Sequence, residues 1–160
     1  MTLCFKWKAG EQVLLIKPKD MTTSKKVMIA SDVLYAFVDR THARHVQASA
    51  FFRYFANEEF HIYMDNISIY DCYLQLMNSM SPSIAKECLR SIYISSITII
   101  YPEEADMRGA LKFYLNDKSN ELNFRKAIMA VLADKNHIPQ ICSFEYIQSM
   151  FGLSLFYIPI

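Results

Sequence analysis

Short apolar, β-branched runs alternate with stretches of helical periodicity along most of this 160-residue chain, and that alternation constrains the fold more than any other feature. The runs "VMIAS", "FHIYM", "SITII", "PQICS" and "LSLFYI" read as strands. Between the first two lie one helical turn at "VLYAFVD" and a longer helix over 43–57, in which Val46, Ala50, Phe51, Tyr54 and Phe55 share a face. Asp65 or Asn66 can cap the next helix, "ISIYDCYLQLMNSM", and Ser81-Pro82 opens another with proline at its first position. Pro102-Glu103-Glu104 places acids at the positive end of a helix running to about Asn116. Asn120 is the expected cap of "ELNFRKAIMAVLADKN", and a short helix at "EYIQSM" precedes the last strand. Strands separated by helices imply an α/β fold: a three-layer α/β/α sandwich around a central, mainly parallel sheet.

The boundaries of the domain follow from a change in pattern. Residues 27–160 carry the alternation, whereas residues 1–26 form an N-terminal extension: two short β segments, "TLCFKW" and "QVLLIK", joined as a hairpin at Ala9-Gly10-Glu11, then the polar linker "KPKDMTTSKK". Met21 is a second candidate start. The extension holds six lysines against two acids, so with a whole-chain charge of +1 the remainder stands at −3. A domain of that sign is a poor general phosphate binder, because nucleic-acid affinity rests on clustered Lys and Arg displacing counterions. Cys4, Cys72, Cys88 and Cys142 form no C-x-x-C pair, which fits reduced thiols in the cytoplasm. The longest apolar run, over 91–101, is too short to span a bilayer, and no secretory signal is expected.

In parallel sheets, sites form beyond the carboxyl ends of the strands. That directs attention to Ala30, Ser31 and Asp32, to Asp71 on the helix after the second strand, and to Ser143 through Glu145. Gly10, Gly109 and Gly152 are the only glycines, so no glycine-rich phosphate loop exists. His42 and His45 in "THARH" lack a third ligand at helical spacing and read as a solvated helix start. Ser143 has no histidine positioned by spacing to make it a nucleophile. Phe51, Phe52, Tyr54 and Phe55 are four rings in five positions; not all can face the core from one helix, and the remainder suggest a homodimer face.

Read in this order, residues 27–160 resemble a PIN domain, the fold of metal-dependent ribonucleases that includes many toxins of bacterial toxin-antitoxin pairs. "VMIASDVLYAFVDRTHARHVQA" is similar to the family's opening strand and helix, "ISIYDCYLQL" to its second helix, "LNFRKAIMAVLADKNHIPQICSFEYI" to its late helix and following strand, and "LSLFYIPI" to its terminal strand. In the family, three or four carboxylates meet around Mg²⁺ or Mn²⁺, hard ions that prefer oxygen ligands and activate water. The better register puts Ala30 where the family's first aspartate sits, Ser31 at its threonine and Asp32 two residues on; a shift by two would make Asp32 the ligand. Asp71 takes the second position, Lys126 replaces the third acid, and Glu145 takes the fourth with Ser143 in the hydroxyl place.

The resemblance thus implies a remnant acidic site of Asp32, Asp71 and Glu145, with Ala30 and Lys126 at lost acid positions. If Lys126 reaches Asp71 and Glu145, its ammonium supplies the positive charge in the metal's place, holding carboxylates that otherwise repel. Asp32 reads first as a helix N-cap and second as a displaced metal ligand. The expected function is a degenerate PIN-like protein with no resident cofactor and little or no nuclease activity. Its expected partner is an antitoxin-like protein or RNA. The alternative is a divergent Mg²⁺- or Mn²⁺-dependent ribonuclease using Asp32, Asp71 and Glu145.

Overall fold

The computed structural model describes residues 25–119, 121–145 and 151–158. Five strands, β1 (Lys26–Ile29), β2 (His61–Asp65), β3 (Thr98–Ile100), β4 (Gln140–Cys142) and β5 (Ser154–Leu155), form one sheet in the order β3-β2-β1-β4-β5. Every pairing is parallel. Six helices cover the sheet: α1 (Ser31–Val38), α2 (His45–Asn57), α3 (Asn66–Ser79), α4 (Pro82–Ile94), α5 (Glu104–Asn116) and α6 (Phe124–Lys135). The α/β/α sandwich expected from the alternation is therefore the observed architecture. The proposed arm hairpin, Asn120 and most of "EYIQSM" lie outside the described residues.

Strand β1 shows why the sandwich forms. Its side chains alternate, so Val27 and Ile29 enter one core with Leu34, Phe55, Ile69 and Leu76, while Met28 and Ala30 enter the other with Ala127, Met129 and Leu132. A strand buried on both faces needs apolar residues at every position, and all of these are almost fully inaccessible. Asp65 caps α3 by accepting from the Ser68 backbone N–H at 2.8 Å and the Ser68 hydroxyl at 2.7 Å. Ser81 caps α4 ahead of Pro82.

Three local expectations differ from the structure. Asn123, not Asn120, caps α6, accepting from the Lys126 backbone N–H at 2.8 Å. In α2 the buried stripe is Ala48, Phe51 and Phe55, leaving Val46 75% exposed. The aromatic run also finds more cover than one helix face supplies. Phe52 packs on Phe37 of α1 at 4.4 Å between ring centroids, and Tyr54 and Phe55 pack on Phe60 and on Phe156 beyond β5. All four rings thus pack on the core, Phe51 and Phe55 buried and Phe52 and Tyr54 half-buried at its margin. No described helix is long and apolar enough to cross a membrane.

Candidate functional site

Because all five strands point the same way, the ends of β1 and β4 and the starts of α3 and α6 meet at one edge of the sandwich. Helix α1 begins directly after β1, with Ala30 in the N-cap position and no side chain capping it. Ser31 is fully buried there, and its hydroxyl donates to Asp71 Oδ2 at 2.6 Å. Gln75, one turn along α3, donates to the same oxygen at 3.1 Å.

The cation facing Asp71 is Arg125. Its Nη1 donates to Asp71 Oδ2 at 3.1 Å and also to the Ser31 hydroxyl, while Nη2 lies 3.5 Å from Glu145 Oε2. Lys126 Nζ lies 3.2 Å from the same Glu145 oxygen. Both cations are largely covered, with side chains 22% and 13% exposed. They occupy the first turn of α6, where the helix dipole disfavours positive charge by about 0.3–1 kcal/mol each. The two carboxylates offset that penalty. Lys126 therefore faces inward as its alignment with Leu122, Met129 and Ala133 predicts. Of the two acids it was expected to hold if it reached them, Asp71 and Glu145, it pairs with Glu145, and the guanidinium of Arg125 spans both. A planar fork with several donors suits two acceptors, whereas an ammonium is a point charge.

Asp32 is not the cap of α1, a position that falls on Ala30. It sits in the first turn, where its Oδ1 accepts from the Val33 backbone N–H at 2.8 Å. Its Oδ2 accepts three hydrogen bonds from the loop after β4: the Ser143 hydroxyl at 2.8 Å, the Phe144 N–H at 2.7 Å and the Glu145 N–H at 3.0 Å. The carboxylate thus fixes the loop that delivers Glu145. Cys142, just before that loop, has its thiol pushed far up by burial and secondarily by the Asp32 charge, so it stays protonated.

Beside this cluster lies an open cleft of about 360 Å³ lined by Asp32, Tyr35, His42, Arg44, Phe144 and Glu145, among others. Arg44 sits 5.0 Å from the centre of the Phe144 ring and donates to the Phe144 carbonyl at 3.1 Å. His42 accepts from the Arg44 N–H at 3.1 Å, and His45 is engaged with the Ala36 carbonyl at 3.0 Å. The two histidines are turned to backbone partners rather than to a shared ligand.

The carboxylates at this edge are each engaged by protein groups. Ala30 brings only a methyl group to the end of β1, Asp32 Oδ2 is taken up by the loop after β4, and Asp71 and Glu145 face two cations. Among the described residues, no three His, Cys, Asp or Glu side chains are grouped to hold a metal. Arg125 was missed at the sequence level, although its place beside Lys126 in the first turn after Asn123 was a usable signal. Two adjacent cations where a helix disfavours them imply acids nearby.

No family model and no curated protein matches the sequence. Among solved structures, the chain is similar to VapC20 of Mycobacterium tuberculosis, described as a toxin that cleaves the sarcin-ricin loop. The TM-score is 0.65 at 15% identity, over 72% of this chain and 86% of that one. This likeness is one of backbone architecture, and by it the chain carries a PIN-like fold.

Proposed function

We propose that this protein is a PIN-like domain with a degenerate acidic site and little or no nuclease activity, acting in the cytoplasm by binding an antitoxin-like protein or RNA. The observation that carries this reading is Arg125 bridging Asp71 and Glu145. Fixed cations stabilise paired carboxylates, but they do not lower the pKa of a bound water as a divalent ion does. A partner protein is favoured over RNA, since residues 27–160 carry a net −3. The likeness in fold to a toxin that cleaves the sarcin-ricin loop supports the PIN-like part of this reading. Residues 1–26 are read as an appendage to the domain at 27–160.

Thermal denaturation with Mn²⁺ tests the reading. Wild type should show no saturable stabilisation, whereas the Ala30→Asp/Arg125→Ala/Lys126→Asp variant should gain it, by about 2.7 kcal/mol at a hundredfold excess over Kd. Saturable Mn²⁺ stabilisation of wild type would favour the divergent ribonuclease using Asp32, Asp71 and Glu145. So would RNA cleavage that disappears in Glu145→Gln.

A further inference from the structure

Helices α3 and α4 form a hairpin that turns at Met80-Ser81, and each carries a cysteine near its middle. Cys72 lies eight residues before Met80 and Cys88 seven after Ser81. At a rise of about 1.5 Å per residue they stand about 12 Å and about 10.5 Å from the turn, so they are level with one another. Each also lies on the covered stripe of its helix. Cys72 falls between Ile69 and Leu76, and Cys88 between Ala85 and Ile92, all at helical spacing and all packed in one core. The sulfurs meet across the hairpin, where the Cys72 thiol hydrogen-bonds the Cys88 sulfur.

The two sulfurs differ in access. Cys72 is fully buried, whereas Cys88 is half-buried and lines an apolar groove of about 390 Å³ between α1, α2 and α4, beside Leu34, Phe37, Phe52 and Ile84. Of the described residues lining that groove only Glu87 is charged, so a small neutral oxidant suits it better than an anionic disulfide. The hydrogen bond from Cys72 holds the Cys88 thiol below its ordinary value against the opposing effect of burial, which favours the nucleophilic thiolate.

We propose that Cys72 and Cys88 are a reactive dithiol, which a neutral hydroperoxide entering by the groove converts to a disulfide across the hairpin of α3 and α4. The Cys88 sulfur attacks the terminal peroxide oxygen and the O–O bond breaks. The alkoxide leaves as an alcohol with the thiol's proton, and Cys88 becomes a sulfenic acid. Cys72 then attacks the Cys88 sulfur; the S–S bond forms, the S–O bond breaks, and hydroxide leaves as water with the Cys72 proton. Two thiols and one hydroperoxide thus give one disulfide, one alcohol and one water, the sulfurs losing the two electrons that the peroxide gains. Hydrogen-bonded sulfurs must close by roughly 1.5–2 Å to reach a bond of about 2.05 Å, a shift that rotation about the two Cα–Cβ bonds can supply. Low-molecular-weight thiols reverse the bond, as suits a transient disulfide in a reducing compartment. Because Cys72 follows Asp71, the bond would tie the groove wall to the helix that presents an acid of the sheet edge.

Peptide mapping of the full, reduced chain after exposure to cumene hydroperoxide tests the proposal. Wild type should yield a linked Cys72 and Cys88 peptide pair, lighter by two hydrogen atoms and separated again by dithiothreitol. Cys88 should be consumed at least roughly tenfold faster than the buried Cys142. Cys72→Ala should instead stop at a Cys88 sulfenic acid that dimedone traps, and Cys88→Ala should leave Cys72 unmodified. Should either variant fail to fold, the wild-type map alone decides. An unreacted Cys88, a wild-type sulfenic acid that never forms the bridge, a bridge to Cys4, to Cys142 or to a second chain, or a Cys72 that is oxidised in Cys88→Ala would each overturn the proposal.

Discussion

Single side chains decide what the acidic edge can do, and Asp32 shows how a residue chosen for one role serves another. Its Oδ2 is the common acceptor for three groups of the loop after β4. Asp32→Asn keeps the size but removes the charge and puts a donor among donors, which should cost about 1–3 kcal/mol. Thermal denaturation should register the loss, and exchange at 143–145 should accelerate more than exchange in the sheet. An unchanged melting temperature would show that the loop holds itself. The position of Asp32 near the edge was legible in the sequence; its partners were not, because they lie 111 to 113 residues away and are two backbone groups and a hydroxyl. The role of Arg125 was only half legible: the pair of cations signalled acids nearby, but not their identity. Adjacent residues on a helix point about 100° apart, and nothing local says that the first of the two cations reaches both acids while the second reaches Glu145.

The elements themselves were legible wherever a local signal coincided with a tertiary need. Apolar β-branched runs marked the strands, and Ser81-Pro82 and Asp65 marked the starts of α4 and α3, because capping is settled within four residues. The α2 stripe was harder to place, since Phe52 and Tyr54 are covered by Phe37, Phe60 and Phe156 from elsewhere in the chain. Phe156 is 5% exposed and touches Phe51, Phe55 and Phe60, so Phe156→Ala should destabilise the domain by about 3–5 kcal/mol in chemical denaturation. A second test concerns the contact between α5 and α6. Burial raises the Asp106 carboxyl, but the Glu103 backbone N–H and then Lys135 outweigh it and hold it below the ordinary 3.8. The Lys135 ammonium, 2.9 Å away, is shifted upward in turn by Asp106 and Glu103. A depressed carboxyl contributes stability above its unfolded value and loses it as pH falls through the lower folded value. Lys135→Met should therefore weaken the protein at pH 7 and flatten its loss of stability below about pH 4. An acid-denaturation profile parallel to wild type would rule this out.

For the whole molecule, sign of charge separates the candidate partners. The domain is net negative and the arm net positive, so any RNA affinity should reside in the arm and fall steeply between 50 and 200 mM salt. Replacing Lys6, Lys8, Lys17 and Lys19 by Gln should abolish it in a filter-binding or anisotropy assay. Affinity that survives those changes would point instead to the Arg44 and Phe144 cleft. The sheet's borders carry one more consequence. Its outermost strands, β3 and β5, are three and two residues long. Among the described residues, so short a rim offers few unpaired amides to template the growth of a foreign β-ribbon, one of the ways sheets are guarded against edge-to-edge aggregation.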